Sequence, residues 1–167
     1  MKTLLLLRHA KSSWADPALD DHQRPLNERG RRDAPRMGNL IRERGLSPDV
    51  IISSDAVRAR LTAEAVAETA GYAARILLDP RLYHAGPDSI VEVLQTVPDG
   101  KAKTVMIVGH NPGLERLIAR LTAEHPDLPT AALAQIVLPI VRWRDLEVST
   151  GGTLLALWRP KDLDVAM

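Results

Sequence analysis

Two histidines and two arginines in this chain are spaced as residues that do chemistry on an anion. Arg8-His9 follows directly behind the apolar run Leu4-Leu5-Leu6-Leu7. A short apolar run ended by polar residues reads as a buried strand of a parallel sheet. In open α/β sheets the ligand crevice lies outside the carboxyl ends of the strands. About a hundred residues later His110 follows a second run, Thr104-Val105-Met106-Ile107-Val108-Gly109, and leads into Asn111-Pro112-Gly113. Arg58 follows a third run that ends in Ser53-Ser54, and falls in the first turn of the helix expected after it. The helix macrodipole disfavours a cation there, so the position suggests a task. Arg60, two residues on and about 200° around the helix, should point elsewhere.

An imidazole with one nitrogen held as N–H can use the other as a nucleophile. A guanidinium offers a planar fork of donors that matches phosphate oxygens. A second imidazole can donate to a phosphoryl oxygen as charge develops on it. Each residue alone also has a structural explanation: strand-end histidines fill turns, and first-turn arginines are often solvated. Read together, they make an anion site with a nucleophile inside it.

The elements that must position these residues alternate strand and helix, the pattern of a βαβ sandwich. After the first strand comes a polar loop over 11–25. Asn27 is expected to cap a helix to about Arg44, closed by Gly45, with Pro35 kinking it or delaying its regular start. A strand over 49–54 leads to a helix capped by Ser54 or Asp55 and stopped by Gly71. Further strands are expected over 75–78, 104–109, 132–138 and 153–158, with helices over 87–96 and from 111 to about 122. No repeat or linker divides the chain, so 1–167 reads as one domain of ordinary size.

The formal net charge of +1 argues against a general nucleic-acid-binding surface. Arg24, Arg29, Arg31, Arg32 and Arg36 nonetheless crowd one stretch, as a solvated helix face or as a rim that attracts an anionic substrate. With no cysteine, disulfides and thiolate metal sites are excluded, and no HxH, HxxxH or HExxH spacing suggests a metal. No apolar stretch reaches a membrane span, and Arg8-His9-Ala10-Lys11 interrupts the N-terminal leucines before a signal-peptide core develops. A cytoplasmic protein is expected. His22 and His125 read as exposed loop residues, whereas His84 follows a strand-like stretch and is placed to line the crevice.

Leu7-Arg8-His9-Ala10 resembles the Arg-His-Gly signature of the histidine phosphatase superfamily, with alanine in place of glycine. Ser53-Ser54 with Arg58-Ala59 and Thr62-Ala63 resembles that superfamily's second motif, and Gly109-His110-Asn111-Pro112 its third. Lys11-Ser12-Ser13-Trp14 and Arg24-Pro25-Leu26 leading to Gly30 make the chain most similar to the SixA-type phosphohistidine phosphatases. The resemblance implies a phosphoglycerate-mutase-like three-layer α/β/α sandwich with a mostly parallel central sheet. It implies His9 as a nucleophile that becomes covalently phosphorylated, with Arg8, Arg58 and His110 forming the phosphate pocket and Arg24 extending it. No metal or organic cofactor is implied.

Many members of that superfamily place a glutamate after the third strand to protonate the leaving oxygen. Residues 78–90 contain no glutamate. Asp79, before Pro80, should end the strand, and Asp88 should cap a helix, which leaves His84 as the candidate proton donor. An unactivated hydroxyl leaves badly, with a pKa near that of water, about 15.7. Acid catalysis of its departure contributes ~10²–10⁴-fold. Imidazole, with a pKa of about 6.5, leaves readily once its other nitrogen carries a proton. The expected substrate is therefore phosphohistidine on a protein, with inorganic phosphate as product. A phosphomonoesterase for small or activated esters and a non-catalytic phosphate-binding module are the alternatives.

Overall fold

The computed structural model describes residues 1–100 and 102–165. Six strands form one sheet: β1 (Lys2–Arg8), β2 (Val50–Ser53), β3 (Leu77–Leu78), β4 (Thr104–Gly109), β5 (Leu133–Leu138) and β6 (Thr153–Trp158). Their order is β3-β2-β4-β1-β5-β6. Neighbours from β3 to β1 pair in parallel, while β5 runs antiparallel to both β1 and β6. One reversed strand makes the sheet mixed, and it remains mostly parallel as expected.

Side chains of the leucine run alternate across this sheet, as strand geometry requires. Leu4 and Leu6 join one apolar core with α3 (Pro87–Gln95) and α4 (Gly113–Thr122), while Leu5 and Leu7 join a second with α1 (Glu28–Glu43) and α2 (Val57–Ala70). All four leucines are fully buried, each contributing roughly 1.5–3 kcal/mol of transfer free energy. The result is the three-layer α/β/α sandwich. A short helix, α5 (Pro160–Val165), not anticipated from sequence, packs Leu163 against the second core.

Local signals settle most boundaries. Asn27 caps α1 by accepting from the Gly30 amide at 2.9 Å, and Gly71 closes α2 in the left-handed conformation at φ 75°. Pro35 does not break α1, which runs through it with Ala34, Met37, Leu40 and Ile41 buried. There α1 rests closely on the alanine-rich α2, where Thr69 Oγ1 donates to the Pro35 carbonyl at 2.8 Å. Tertiary packing outweighs one missing amide.

Three local expectations need correction. The cap residue of α2 is Ala56, with no side-chain cap bond; Ser54 and Asp55 are engaged elsewhere. The cap of α3 is Gly86, and Asp88 sits in the first turn instead. The third strand shortens to two residues because the Tyr72 hydroxyl wedges into the ladder. It accepts from the Ile51 amide at 3.3 Å and donates to the Arg75 carbonyl at 3.2 Å, groups that would otherwise pair with each other.

The loop between β1 and α1 lies against Gly30. A Cβ there would collide with the Lys11 carbonyl. Gly30→Ala should therefore lower unfolding free energy by about 1–3 kcal/mol in urea titrations. An unchanged midpoint would contradict this close approach.

Candidate active site

Sheet order brings the chemistry-bearing residues together. β4 lies between β1 and β2, with Arg8 opposite Gly109 and Ser53 opposite Val108. Beyond these pairs the ladder continues for one more bond on each side. The His9 amide donates to the Gly109 carbonyl at 3.0 Å, and the Ser54 amide to the Val108 carbonyl at 2.9 Å. His9, His110 and Ser54 are therefore neighbours at one edge of the sheet, and the His9 and His110 ring centroids are 5.1 Å apart.

A cleft of about 430 Å³ opens here. Arg8, His9, Arg24, Arg58, His84 and His110 all line it, so all six candidate residues named from sequence converge. Lys11 and Arg116 add two more cations to its wall. Among the described residues lining it there is no aspartate or glutamate.

His9 is 7% exposed. Its Nδ1 lies 2.8 Å from the carbonyl of Ala10. A carbonyl only accepts, so Nδ1 carries the proton and Nε2 keeps its lone pair. Ala10 is itself fixed, because its amide donates to Thr62 Oγ1 at 2.9 Å while that hydroxyl donates to the Arg58 carbonyl at 2.7 Å. Burial, then the charges of Arg58, Arg8 and Arg24, push the His9 pKa down to about 4. His110 is pushed down to about 3 by burial and by His9, Arg58 and His84. Both imidazoles are neutral near pH 7. One is ready to act as a nucleophile.

The arginines are held firmly but not saturated. Arg8 Nη1 donates to the Leu128 carbonyl at 3.2 Å. Arg58 Nη1 and Nη2 donate to the Asp21 carbonyl at 2.7 Å and to Asp21 Oδ2 at 3.0 Å. Among the described residues, Arg8 Nε and Arg58 Nε are buried and find no acceptor. Such orphaned buried donors are costly and rare. Arg24 donates to Ser12 Oγ at 2.8 Å and to Asp21 Oδ1 at 3.1 Å, and its guanidinium lies 3.6 Å from the Trp14 ring centroid.

The rest of the basic stretch is a helix face. Arg29, Arg32 and Arg36 surround buried Asp33, and Arg31 donates to the Leu26 carbonyl; none of them lines the cleft. Arg60 pairs with Glu64, away from the site as expected. Asp79 caps a 3₁₀ turn and holds Arg81, and Asp88 is exposed on α3. His125 is exposed as expected, whereas His22 is half-buried, 3.0 Å from Asp55 and edge-on to Tyr83.

Sequence reasoning missed Asp21 and Tyr83. The Tyr83 hydroxyl donates to Asp21 Oδ2 at 2.7 Å, and this bond, with those from Arg58 and Arg24, holds the Asp21 carboxyl well below the usual range. Burial, then the Asp21 carboxylate, raises the Tyr83 pKa. Asp21 thus ties the 11–25 loop to the start of α2. A lone aspartate in an Asp-rich loop carries no spacing signal that marks it.

Unfolded His9 takes up a proton near pH 6.5, but the folded chain accepts it only near pH 4. Unfolding then binds protons, so stability falls as pH drops through that window. His9 contributes up to about 1.4 kcal/mol per pH unit. In urea titrations at neutral pH and at about pH 5, His9→Asn should lose less stability on acidification than the native chain. Parallel losses would mean that His9 is not held neutral.

The sequence model of the histidine phosphatase superfamily (branch 1) matches residues 4–85. An uncharacterized chloroplastic protein of Arabidopsis thaliana is 37% identical over 146 residues, covering 80% of this chain and 66% of its own length. This chain thus spans about two thirds of that relative. An uncharacterized protein of Mycobacterium tuberculosis is 34% identical over 155 residues, covering 84% of this chain and 92% of its own. Among solved structures, a protein assigned as phosphohistidine phosphatase SixA of Agrobacterium tumefaciens superimposes with a TM-score of 0.80 at 28% identity, over 95% of this chain and 98% of that one. Motifs, sheet order and a cleft built on two neutral histidines agree with these likenesses, and the chain belongs to the histidine phosphatase superfamily, branch 1.

Proposed function

We propose that this phosphatase hydrolyses phosphohistidine borne on a protein, through a phosphoryl group carried transiently on His9. The His9 Nε2 lone pair forms the new N–P bond while the P–N bond to the substrate imidazole breaks. That leaving nitrogen takes a proton, from solvent or from His84 at the cleft wall. Water then attacks phosphorus, releasing inorganic phosphate and restoring His9. Arg8 and Arg58 hold the equatorial oxygens, His110 donates to one of them, and Arg24 extends the pocket. Apart from water, these steps draw only on the chain's own residues, and a cytoplasmic setting is part of the proposal.

The observation that carries this reading is the lining of the cleft: five lysine or arginine side chains and three histidines, of which His9 and His110 are held neutral, with no carboxylic acid among the described residues. Such a wall stabilises the phosphoryl group strongly and gives little help to an alkoxide. Imidazole needs little help to leave. The exposed side chains of Lys11, Trp14, His84 and Arg116 border the cleft, so a group projecting from a protein surface can enter.

His9→Ala should abolish turnover of an activated aryl phosphate without loss of fold, and an alkaline denaturing quench should trap labelled phosphate on the native chain only. Retained turnover in the variant would overturn the nucleophile assignment. On substrates, kcat/KM should be higher for a phosphohistidine protein than for alkyl phosphate monoesters, by at least the ~10²-fold that a missing general acid costs the esters. A preference for the esters would reverse the choice in favour of a small-molecule phosphomonoesterase.

A further inference from the structure

Ser54 is fully buried beneath the cleft, and its Oγ lies 2.8 Å from His110 Nε2. The same oxygen accepts from the Ala56 amide at 3.2 Å, across the turn that leads into α2. Its backbone is equally fixed. The amide donates to Val108 in β4, and the carbonyl accepts from Ser53 Oγ at 2.9 Å. Both the serine and the strand that carries His110 are thus held in one frame.

We propose that Ser54 is a positioning residue that sets the tautomer of His110, placing its single proton on Nδ1. A neutral imidazole has one N–H, so the contact with Ser54 has two possible senses. If Nε2–H donated to Oγ, the serine proton would point into buried protein, where no other acceptor for it occurs among the described residues. If the serine hydroxyl donates to Nε2, Oγ accepts the Ala56 amide, its own proton is used, and every group in the turn is paired. Buried polar groups settle into the arrangement that leaves none unmatched.

This resolves a difficulty in the pocket. His9 and His110 are both neutral and 5.1 Å apart, yet their tasks are opposite. On His9, the Ala10 carbonyl takes the Nδ1 proton and leaves a lone pair. On His110, Ser54 occupies Nε2 and leaves Nδ1–H as a donor to a phosphoryl oxygen. The same tautomer on both rings yields one nucleophile and one donor, because opposite nitrogens are tied to the protein. His110 can then donate without first being protonated. The catalytic consequence rests on the phosphatase reading; the tautomer does not.

Long-range ¹H–¹⁵N correlation spectra of the full chain at neutral pH, without substrate, read the tautomer directly. Native His110 should show a protonated Nδ1 and an unprotonated, hydrogen-bonded Nε2. A protonated Nε2 in that spectrum would overturn the proposal, whatever any variant does. Ser54→Ala should shift His110 toward the other tautomer while the His9 signals stay in place, and Ser54→Cys, which keeps a weak donor, should fall between. An unchanged His110 spectrum in Ser54→Ala would also overturn it. With inorganic phosphate as probe, Ser54→Ala should bind several-fold more weakly. Aryl phosphate kcat should fall about 10²-fold, as when one preorganised donor is lost, with a smaller change in KM. His9→Ala leaves the native His110 tautomer in place, so failure of the nucleophile assignment remains separable from failure here.

Discussion

The register that aligns the carboxyl ends of β1, β4 and β2 is the constraint on which the site depends. Parallel pairing fixes Arg8 against Gly109 and Ser53 against Val108. The next residue of each strand is then His9, His110 or Ser54. Side chains alternate along a strand, so a slip of one residue would invert every buried leucine of β1. The two apolar cores on opposite faces enforce the register, and the register places the imidazoles. Core packing and catalytic geometry are one specification.

Electrostatics follows from that placement. Cations gathered around a buried point repel one another, and the chain offsets this with Asp21, which bonds to both Arg24 and Arg58. Burial first, and then the charge of Arg58, keeps His9 and His110 unprotonated, with Arg8 and Arg24 adding to the effect at His9. A crevice that gathers these cations is therefore also one that keeps its two buried imidazoles uncharged. Arg8 Nε and Arg58 Nε stay buried without an acceptor among the described residues, so the compensation is incomplete.

Much of this was legible in the sequence. Apolar runs ending in Arg8-His9, Ser53-Ser54 and Gly109-His110 declare strand ends, and the rule for open α/β sheets turns strand ends into a site. Arg8, His9, Arg58 and His110 converge for that reason, whereas Arg24 was named through the family resemblance and His84 from the stretch that follows β3. Features that depend on two distant segments meeting stayed hidden. Asp21 matters only because its loop folds onto Arg58, and Tyr83 only because it meets Asp21. Tyr72 shortens β3 by inserting into a ladder that apolar pattern alone would extend. Ser54 was legible as a residue near a helix start, but its hydroxyl serves a histidine from another strand, so cap preference gave the wrong partner. The reversed direction of β5 left no mark in composition either.

That reversal also decides which connection walls the cleft. Because β5 runs against its neighbours, the segment that precedes it, rather than the one that follows, arrives at the cleft edge. The Leu128 carbonyl there receives both Arg8 and Asn111, and Thr130 faces the cleft. This wall hangs between α4 and β5, outside the parallel strands that carry His9, His110 and Ser54. Its Leu128 carbonyl and Ala131 amide nonetheless bond Arg8 and His9 directly, so a change in its path would reach both. Rewriting this one connection would alter the mouth of the cleft and the aim of the Arg8 guanidinium together.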